Sequence, residues 1–390
     1  MAKRKVMILV SAIILVLGLL IACAAPAPAP APTPAPAPTP APAPTPAPAP
    51  APAPAPTPAP APTPAPAPAE PAEVITWTFQ HGYSSGSPPD IYNKRVIDRI
   101  NKAAGGRLKI DYFAGGAVVP AAEEADGLRT GTLDFANIYG GYNMHLNAAT
   151  SFADGMAGGL SIVQLKYWME TGGGNELFTE LYEPFGITWI GDHLWSPEDF
   201  AYTSFPLNTV DDIKKLKMRT SGPGGEILAR MGASTVFLPG GELYESMQRG
   251  VINAFEYGGA AEAWEMGFQE VIDYLYISLT RAPSDAGGFM ARTESWEALP
   301  DDLKTIVMYI SRGAIDELWG YYMVTNAEAI VKIGDYGVKV EKLPKEIEEA
   351  FVSEAEEFFD EKAAKEGGIY ARIIESVREF KKIAELQGVY

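Results

Sequence analysis

The sequence predicts an α/β protein with two lobes, and three observations carry this prediction. From residue 74 onward, strand and helix patterns follow one another in β-α-β order, which is typical of a parallel sheet with right-handed crossover helices. A second group of strand patterns begins near residue 187. The region after residue 70 has roughly 320 residues, enough for a large core and normally for two lobes.

Residues 1–23 have the layout of a bacterial lipoprotein signal peptide. Three basic residues at 3–5 precede an apolar run at 6–21, which is shorter than a comfortable membrane span of about 20 residues. The string 20–23, Leu-Ile-Ala-Cys, resembles a lipobox, in which Cys23 is lipidated and becomes the first mature residue. The alternative is an uncleaved membrane anchor. Either way we expect an extracytoplasmic protein attached to the cell membrane, in the periplasm or at the cell surface.

Residues 24–70 are almost purely Ala, Pro and Thr. Such a segment cannot bury enough apolar surface to fold and favours extended polyproline II, with a reach on the order of 140 Å. We therefore predict a disordered stalk, and a glycosylated, mucin-like segment fits the same role. The globular domain is predicted at 71–390. Because Cys23 is the only cysteine, no disulfide can form within the chain, so stability must come from a core.

The formal net charge of −18 limits the partners of the globular domain. An acidic surface argues against nucleic acid and anionic lipid. An anionic ligand would have to be held by a few local donors, because the long-range field opposes it.

The first lobe is predicted from its β-α-β order. Strand patterns lie at 74–79, 108–113 and 133–139, separated by helices at 91–104 and 121–130. The third strand ends at Tyr139, and Tyr142 follows it. Ligand sites in open α/β sheets gather at the carboxyl ends of strands, so both tyrosines are candidates to line a cleft. An edge tyrosine can equally be core or surface filler.

The second lobe opens with strands at 187–191 and 201–203, followed by a capped turn at 209–216. A short strand at 217–219 ends in Arg219, just before a Gly-Pro-Gly-Gly turn at 222–225 and a helix at 226–231. A guanidinium fixed beside a helix N-terminus suits a carboxylate. A further helix (241–249) leads into a strand (251–257). Amphipathic helix dominates from residue 298, with a long charged helix at 345–365.

Several strings together resemble the solute-binding (P) subunits of TRAP transporters, the DctP family. They are Leu216-Lys217-Met218-Arg219, the string from Gly240 to Tyr244, and the string from Gln248 to Ala254. The likeness runs over nearly all of 74–387, including the strings at 113–116, 131–134 and 172–174. The last of these and Gly141-Tyr142 resemble the branch that binds 2-oxo acids. The resemblance implies a two-lobed, periplasmic-binding-protein-like fold, with hinge strands and a long helix joining the lobes.

The same resemblance implies a ligand-binding role for Arg219, which occupies the place of the arginine that pairs with the ligand carboxylate. On its own, Arg219 could be a surface arginine near a lobe seam. Glu256, followed by Tyr257, matches the place of an acidic residue that helps to hold Na⁺ or Ca²⁺ beside the ligand. Arg281 lies where a second metal-binding carboxylate is expected, so it could neutralise Glu256 or bind a second anion. Glu198 lies near a position that carries glutamine in that branch, and both Glu198 and Tyr257 are candidate ligand-binding residues.

The resemblance therefore predicts a carboxylate receptor that works with TRAP membrane subunits and has no enzymatic activity and no cofactor. A homodimer is a further expectation. An enzyme would use carboxylates such as Glu198 and Glu256 as an acid and base pair, but the sequence does not fix their separation. The histidines at 81, 145 and 193 lack zinc-ligand spacing. A stalked sensory or adhesion protein with the same fold is the alternative function.

Overall fold

The computed structural model describes residues 73–388 apart from positions 84, 239, 284 and 285. The predicted signal peptide, Cys23 and the stalk lie outside these residues, so the predicted domain boundaries stay predictions. Across the described residues, no helix is both long and apolar enough to cross a lipid bilayer.

The strands of the described chain are short, and most belong to βα units. In chain order they are β1 (Ile75–His81), β2 (Leu108–Phe113), β3 (Phe135–Tyr139), β4 (Ile187–Leu194), β5 (Ala201–Thr203), β6 (Lys217–Arg219), β7 (Ser234–Val236), β8 (Ala254–Phe255), β9 (Tyr274–Ile277), β10 (Ala286–Arg292) and β11 (Lys339–Lys342).

The three longest α-helices of the described chain are the last three. They are α1 (Pro88–Ala103), α2 (Glu124–Thr130), α3 (Ile162–Thr171), α4 (Gly174–Tyr182), α5 (Gly222–Arg230), α6 (Leu243–Gln248), α7 (Ala260–Glu265), α8 (Thr293–Glu297), α9 (Asp301–Gly313), α10 (Ile315–Tyr336), α11 (Lys345–Glu366) and α12 (Gly368–Leu386). Short 3₁₀ turns at Gly140–Asn143, Ala148–Asp154 and Val210–Lys215 connect some of them.

The strands form two mixed sheets. The first has the order β2-β1-β3-β10-β4, with β1 parallel to β2 and β3, and β10 antiparallel to both neighbours. The second has the order β11-β9-β5-β8-β6-β7, in which β6 pairs parallel with β7 and β8. The predicted parallel pairing of the first two strands is therefore confirmed. The strand predicted at 187–191 does not open the second lobe: it is part of β4 and lies at the edge of the first sheet, because it pairs with β10.

Helix α1 illustrates how the sequence builds the first lobe. Ser87 caps the helix by accepting a hydrogen bond from the backbone N–H of Asp90, and prolines occupy the first two helical positions, where no intrahelical donor is lost. Val96, Ile97 and Ile100 recur at helical spacing and are buried against the first sheet.

Two segments and three helices join the lobes. The chain passes from β4 to β5 and returns from β9 to β10, so two segments cross between the sheets. The long helix α10 packs against β4 of the first sheet and against α7 of the second lobe. At the C-terminus, α11 packs on α5 and α12 packs on α4. The predicted two-lobed fold with joining segments and a long helix is confirmed.

One hydrophobic core runs through both lobes. Met290 of the first sheet, Met218 of the second sheet and Phe351 of α11 belong to the same buried cluster. Phe351 is fully buried, and its ring lies 5.5 Å from that of Phe200. The C-terminal helices therefore supply apolar surface that neither sheet could cover alone.

Several predicted boundaries are wrong in detail. The Gly-Pro-Gly-Gly string is the first turn of α5, which begins at Gly222 and not at residue 226. The strand predicted at 251–257 is only Ala254–Phe255. Helices α1 and α2 begin at Pro88 and Glu124 and not at residues 91 and 121. The long charged helix predicted at 345–365 is confirmed as Lys345–Glu366.

Candidate functional site

Four charged side chains meet where the two crossing segments pass the second sheet. Arg219 ends β6 and Glu256 directly follows β8. Because β6 and β8 are parallel neighbours with Arg219 paired to Phe255, both residues lie at the same carboxyl edge. Glu198 lies on the segment from β4 to β5, and Arg281 lies on the segment from β9 to β10.

Arg219 is held rigidly at this edge and is only 7% exposed. Its Nε donates to the carbonyl oxygen of Leu238 at 2.9 Å, and its Nη1 donates to the carbonyl oxygen of Glu256 at 2.7 Å. The rings of Phe237 and Tyr257 lie 5.4 and 5.6 Å from its guanidinium carbon. Within the described residues, Nη2 donates no hydrogen bond. The guanidinium is thus fixed, flanked by aromatic rings, and has one nitrogen that donates to none of the described residues.

Glu256 is completely buried, and its carboxylate contacts the N-cap residue of α5 and two arginines. Its Oε1 accepts hydrogen bonds from the backbone N–H of Ser221 at 2.8 Å and from the Ser221 hydroxyl at 3.4 Å. Its Oε2 lies 3.3 Å from Nη1 of Arg219 and 3.7 Å from Nη2 of Arg281. We expected the helix N-terminus to serve a ligand carboxylate, but this backbone N–H serves Glu256.

Arg281 is anchored to the other crossing segment. Its Nη2 lies 2.6 Å from Oε2 of Glu198 and donates to the carbonyl oxygen of Asp199 at 3.1 Å, while its Nε donates to the carbonyl oxygen of Phe200 at 3.2 Å. The backbone N–H of Glu198 in turn donates to the carbonyl oxygen of Ala282 at 3.3 Å. Backbone and side chains therefore tie the two crossing segments together at the site.

Two glycines allow this close packing. A Cβ atom on Gly224 would lie 2.8 Å from Cγ of Arg281, so only glycine lets the Arg281 side chain lie against the first turn of α5. A Cβ atom on Gly240 would lie 2.5 Å from Cε2 of Tyr257. The Gly-rich strings at 222–225 and 240–241 thus shape the site through the close approach of side chains.

The predicted tyrosines lie around the charged cluster. Tyr257 contacts Arg219 as described, and its ring meets that of Phe268 edge-on at 6.0 Å. In the first lobe, the rings of Tyr139 and Tyr142 meet edge-on at 5.1 Å, and Tyr142 is 41% exposed. Tyr139 is close enough to Arg281 for the two to interact electrostatically. The structure thus places Tyr257 beside Arg219 and Tyr139 near Arg281, while Tyr142 lies next to Tyr139.

Burial and neighbouring charges set the ionisation of this cluster. Burial raises the pKa of Glu198, and the nearby negative charge of Glu256 adds to this effect, while Arg281 opposes it. Burial lowers the pKa of Arg281, but Glu256 and Glu198 outweigh burial, so the net pKa is raised and the guanidinium stays charged. With every group ionised, the two arginines and two glutamates carry no net charge.

Two of the three histidines, His81 and His193, lie near each other in the first sheet. His81 is buried with Asp90 and Tyr112, His193 is buried beside Asn137 and Trp195, and exposed His145 lies near an aspartate of α2. Over the described residues, no group of three or more His, Cys, Asp or Glu side chains could hold a metal ion.

Sequence reasoning did not select Ser221 or Phe237. Ser221 lies two residues after Arg219, at the N-cap of α5, and positions Glu256 through its N–H. Phe237 directly follows β7, whose pairing with β6 carries its ring to Arg219. Both follow carboxyl ends of parallel strands, so the rule that selected Arg219 could have found them.

The arrangement of lobes and site agrees with a known family. The model of the DctP family, bacterial extracellular solute-binding protein family 7, matches residues 79–366. The chain belongs to this family. Its members are extracytoplasmic solute receptors, and the predicted membership is confirmed. A relative of this DctP-family protein is the monocarboxylate 2-oxoacid-binding periplasmic protein of Nostoc sp., which is 25% identical over 79% of this chain and 84% of its own length.

Solved structures show the same fold. A TRAP periplasmic solute-binding protein of Colwellia psychrerythraea, with bound calcium and pyruvate, is 25% identical with a TM-score of 0.74, covering 81% of this chain and 96% of that one. A counterpart of Pseudoalteromonas atlantica, with bound sodium and pyruvate, is 24% identical with a TM-score of 0.73 over the same shares. The DctP-family protein described here thus has the two-lobed TRAP receptor fold.

Proposed function

We propose that this protein is the solute receptor of a TRAP transporter and binds a small carboxylate, a 2-oxo acid or a related organic acid. The observation that carries the proposal is the fixed, nearly buried guanidinium of Arg219, which ends a strand at the carboxyl edge of the second sheet and retains a donor nitrogen. The pyruvate bound by the Colwellia protein and the name of the Nostoc relative support this ligand class.

In the proposed complex, the ligand carboxylate accepts hydrogen bonds from Arg219, and the rings of Tyr257 and Phe237 flank it. Tyr139 and Tyr142 approach from the first lobe, so closure of the lobes encloses the ligand and excludes water. The ligand shifts the lobes toward the closed state only by its higher affinity for that state. Charge pairing in a desolvated site strengthens the contact, and no bond of the ligand needs to change.

Thermal unfolding against a ligand panel tests the proposal. The panel contains pyruvate and other 2-oxo acids, hydroxy acids, dicarboxylates, sugar acids and amino acids, each with and without Na⁺ or Ca²⁺. A ligand that binds only the folded protein raises the melting temperature by mass action. We expect at least one carboxylate to do so. No shift with any carboxylate under any of these conditions would contradict the proposed ligand class.

The role of Arg219 is tested separately. Arg219→Ala removes one partner of a buried charge pair and should weaken carboxylate binding by roughly 2–5 kcal/mol in isothermal titration. The matched control is Arg249→Ala, since the Arg249 side chain is 71% exposed and forms an ion pair with Glu245 one helical turn earlier. An unchanged affinity in Arg219→Ala would refute the assignment.

Delivery and anchoring belong to the same proposal. Cys23 would carry the lipid, the 24–70 stalk would let the receptor reach the TRAP membrane subunits, and the ion gradient across those subunits would drive transport. Solute uptake by cells that carry the membrane subunits, with and without this chain, tests delivery. Uptake that does not depend on the chain would contradict it.

A further inference from the structure

Two buried carboxylates at the site need a positive charge beside them. Glu256 is fully buried, and the Glu198 side chain is only 13% exposed. Each would carry its charge in a poorly solvated position next to the other, which is costly unless a cation is present. In the Colwellia and Pseudoalteromonas structures, a calcium or a sodium ion accompanies bound pyruvate.

In this chain, the guanidinium of Arg281 contacts both carboxylates. Its Nη2 lies 2.6 Å from Glu198 Oε2 and 3.7 Å from Glu256 Oε2. Arg281 is 4% exposed, and the carbonyl oxygens of Asp199 and Phe200 fix the orientation of its guanidinium. The absence of a side chain at Gly224 makes room for its methylene chain. Arg281 is therefore held in a fixed position as an integral part of the site.

The carboxylate oxygens of Glu198 and Glu256 do not form a coordination site for a metal ion. Calcium takes six to eight oxygen ligands at about 2.3–2.6 Å. Here Oε1 of Glu256 accepts hydrogen bonds from Ser221, its Oε2 faces both arginines, and Oε2 of Glu198 pairs with Arg281. Over the residues that the structure describes, no set of three or more acidic, His or Cys side chains is placed to hold an ion.

We propose that the guanidinium of Arg281 is the built-in cation of this receptor, so that carboxylate binding requires no added Ca²⁺ or Na⁺. This inference rests on the proposed carboxylate-binding function. It also makes a prediction that needs no ligand: removing the Arg281 charge should leave Glu198 and Glu256 free to bind a divalent ion.

The ligand arm of the test uses pyruvate as the first probe with the wild-type chain. Affinity is measured by titration in a sodium-free buffer with a chelator, and then with Ca²⁺ or Na⁺ added. We expect less than about a twofold change in Kd between these conditions. If pyruvate or another carboxylate of the panel binds only with an added cation, the inference is overturned while the proposed function stands.

The metal arm uses Ca²⁺ alone and reads the melting temperature. We expect Ca²⁺ to stabilise Arg281→Gln but neither the wild type nor Arg281→Lys, which keeps the positive charge. The control Arg230→Gln also removes an arginine between two glutamates, Glu354 and Glu361, but at the surface, and should show no calcium response. Stabilisation of the wild type by Ca²⁺, or equal responses of all four proteins, would overturn the inference.

The ligand arm and the metal arm distinguish failure of the proposed function from failure of the inference about Arg281. If no carboxylate binds the wild type under any condition, the proposed function fails, and the calcium response of Arg281→Gln alone decides whether Arg281 is the internal counter-ion. Should Arg281→Gln fail to fold, Arg281→Lys still decides the point, since a Ca²⁺-induced shift in its melting temperature would show that the position does not exclude metal.

Discussion

The carboxyl group of Asp192 gives the sharpest prediction about stability. It lies near the carboxyl end of β4 with no exposed surface, and in the described structure neither of its oxygens accepts a hydrogen bond from another residue. Burial raises its pKa to about 7, and the negative charge of Glu170 adds to this effect. The folded protein therefore holds a proton on Asp192 that the unfolded chain releases near pH 4.

The sign of the pH effect follows from proton linkage. Below the unfolded pKa, both states bind the proton and Asp192 has no effect on stability. As pH rises toward 7, only the folded state keeps the proton, so the free energy of unfolding falls with pH and then levels off. A shift of about three units corresponds to about 4 kcal/mol at pH 8 and about 1 kcal/mol at pH 4.5, since one unit is about 1.4 kcal/mol.

Urea unfolding of the wild type and Asp192→Asn at pH 4.5 and pH 8 measures this effect. Asparagine cannot ionise, so the stability of the variant relative to the wild type should increase by about 3 kcal/mol between the two pH values. The matched control is Asp98→Asn, because the Asp98 side chain on α1 is 64% exposed and forms an ion pair with Lys94 on the same helix. An equal stability difference at both pH values would refute the reasoning.

Three further predictions concern binding, packing and anchoring. Gly224→Val should displace the Arg281 side chain and weaken carboxylate binding at least about tenfold by titration, and an unchanged Kd would contradict the contact. Phe351→Ala should lower the free energy of unfolding by about 3–5 kcal/mol in urea, because this ring is buried in the core common to both lobes; a loss below about 1 kcal/mol would contradict that placement. Cys23→Ala should move the chain from the membrane to the soluble fraction, and continued membrane association would contradict lipid anchoring at this residue.

The local order of elements could be read from the sequence, but the distant pairing could not. The β-α-β pattern at the start fixed β1, α1 and β2, because alternating and helical periodicities are local properties. The insertion of β10 between β3 and β4 joins residues more than 90 positions apart, and nothing in the 286–292 string indicates its neighbours. The prediction that the second lobe opens at 187–191 is wrong for this reason, since β4 pairs with the distant strand β10 in the first sheet.

The error at α5 has a specific cause. Gly-Pro-Gly-Gly favours a turn, because glycine is flexible and proline lacks an N–H donor. Proline is nevertheless well accommodated in the first helical turn, where the N–H has no partner anyway. Gly224 is needed there because Arg281 packs against it, a contact across 57 residues that local propensity cannot reveal. The feature that misled the boundary prediction is thus one that shapes the site.

The location of Glu198 and Arg281 connects charge balance to lobe movement. They lie on the two segments that cross between the sheets, and their ion pair and backbone contact join those segments where a hinge would bend. An arriving carboxylate adds a negative charge to a cluster that is neutral when all four groups are ionised. Burial raises the pKa of Glu198, so this carboxyl group can take up a compensating proton. A ligand that binds Arg219 would therefore change the electrostatics of the same charged cluster that joins the crossing segments. This cluster would couple ligand binding directly to lobe closure.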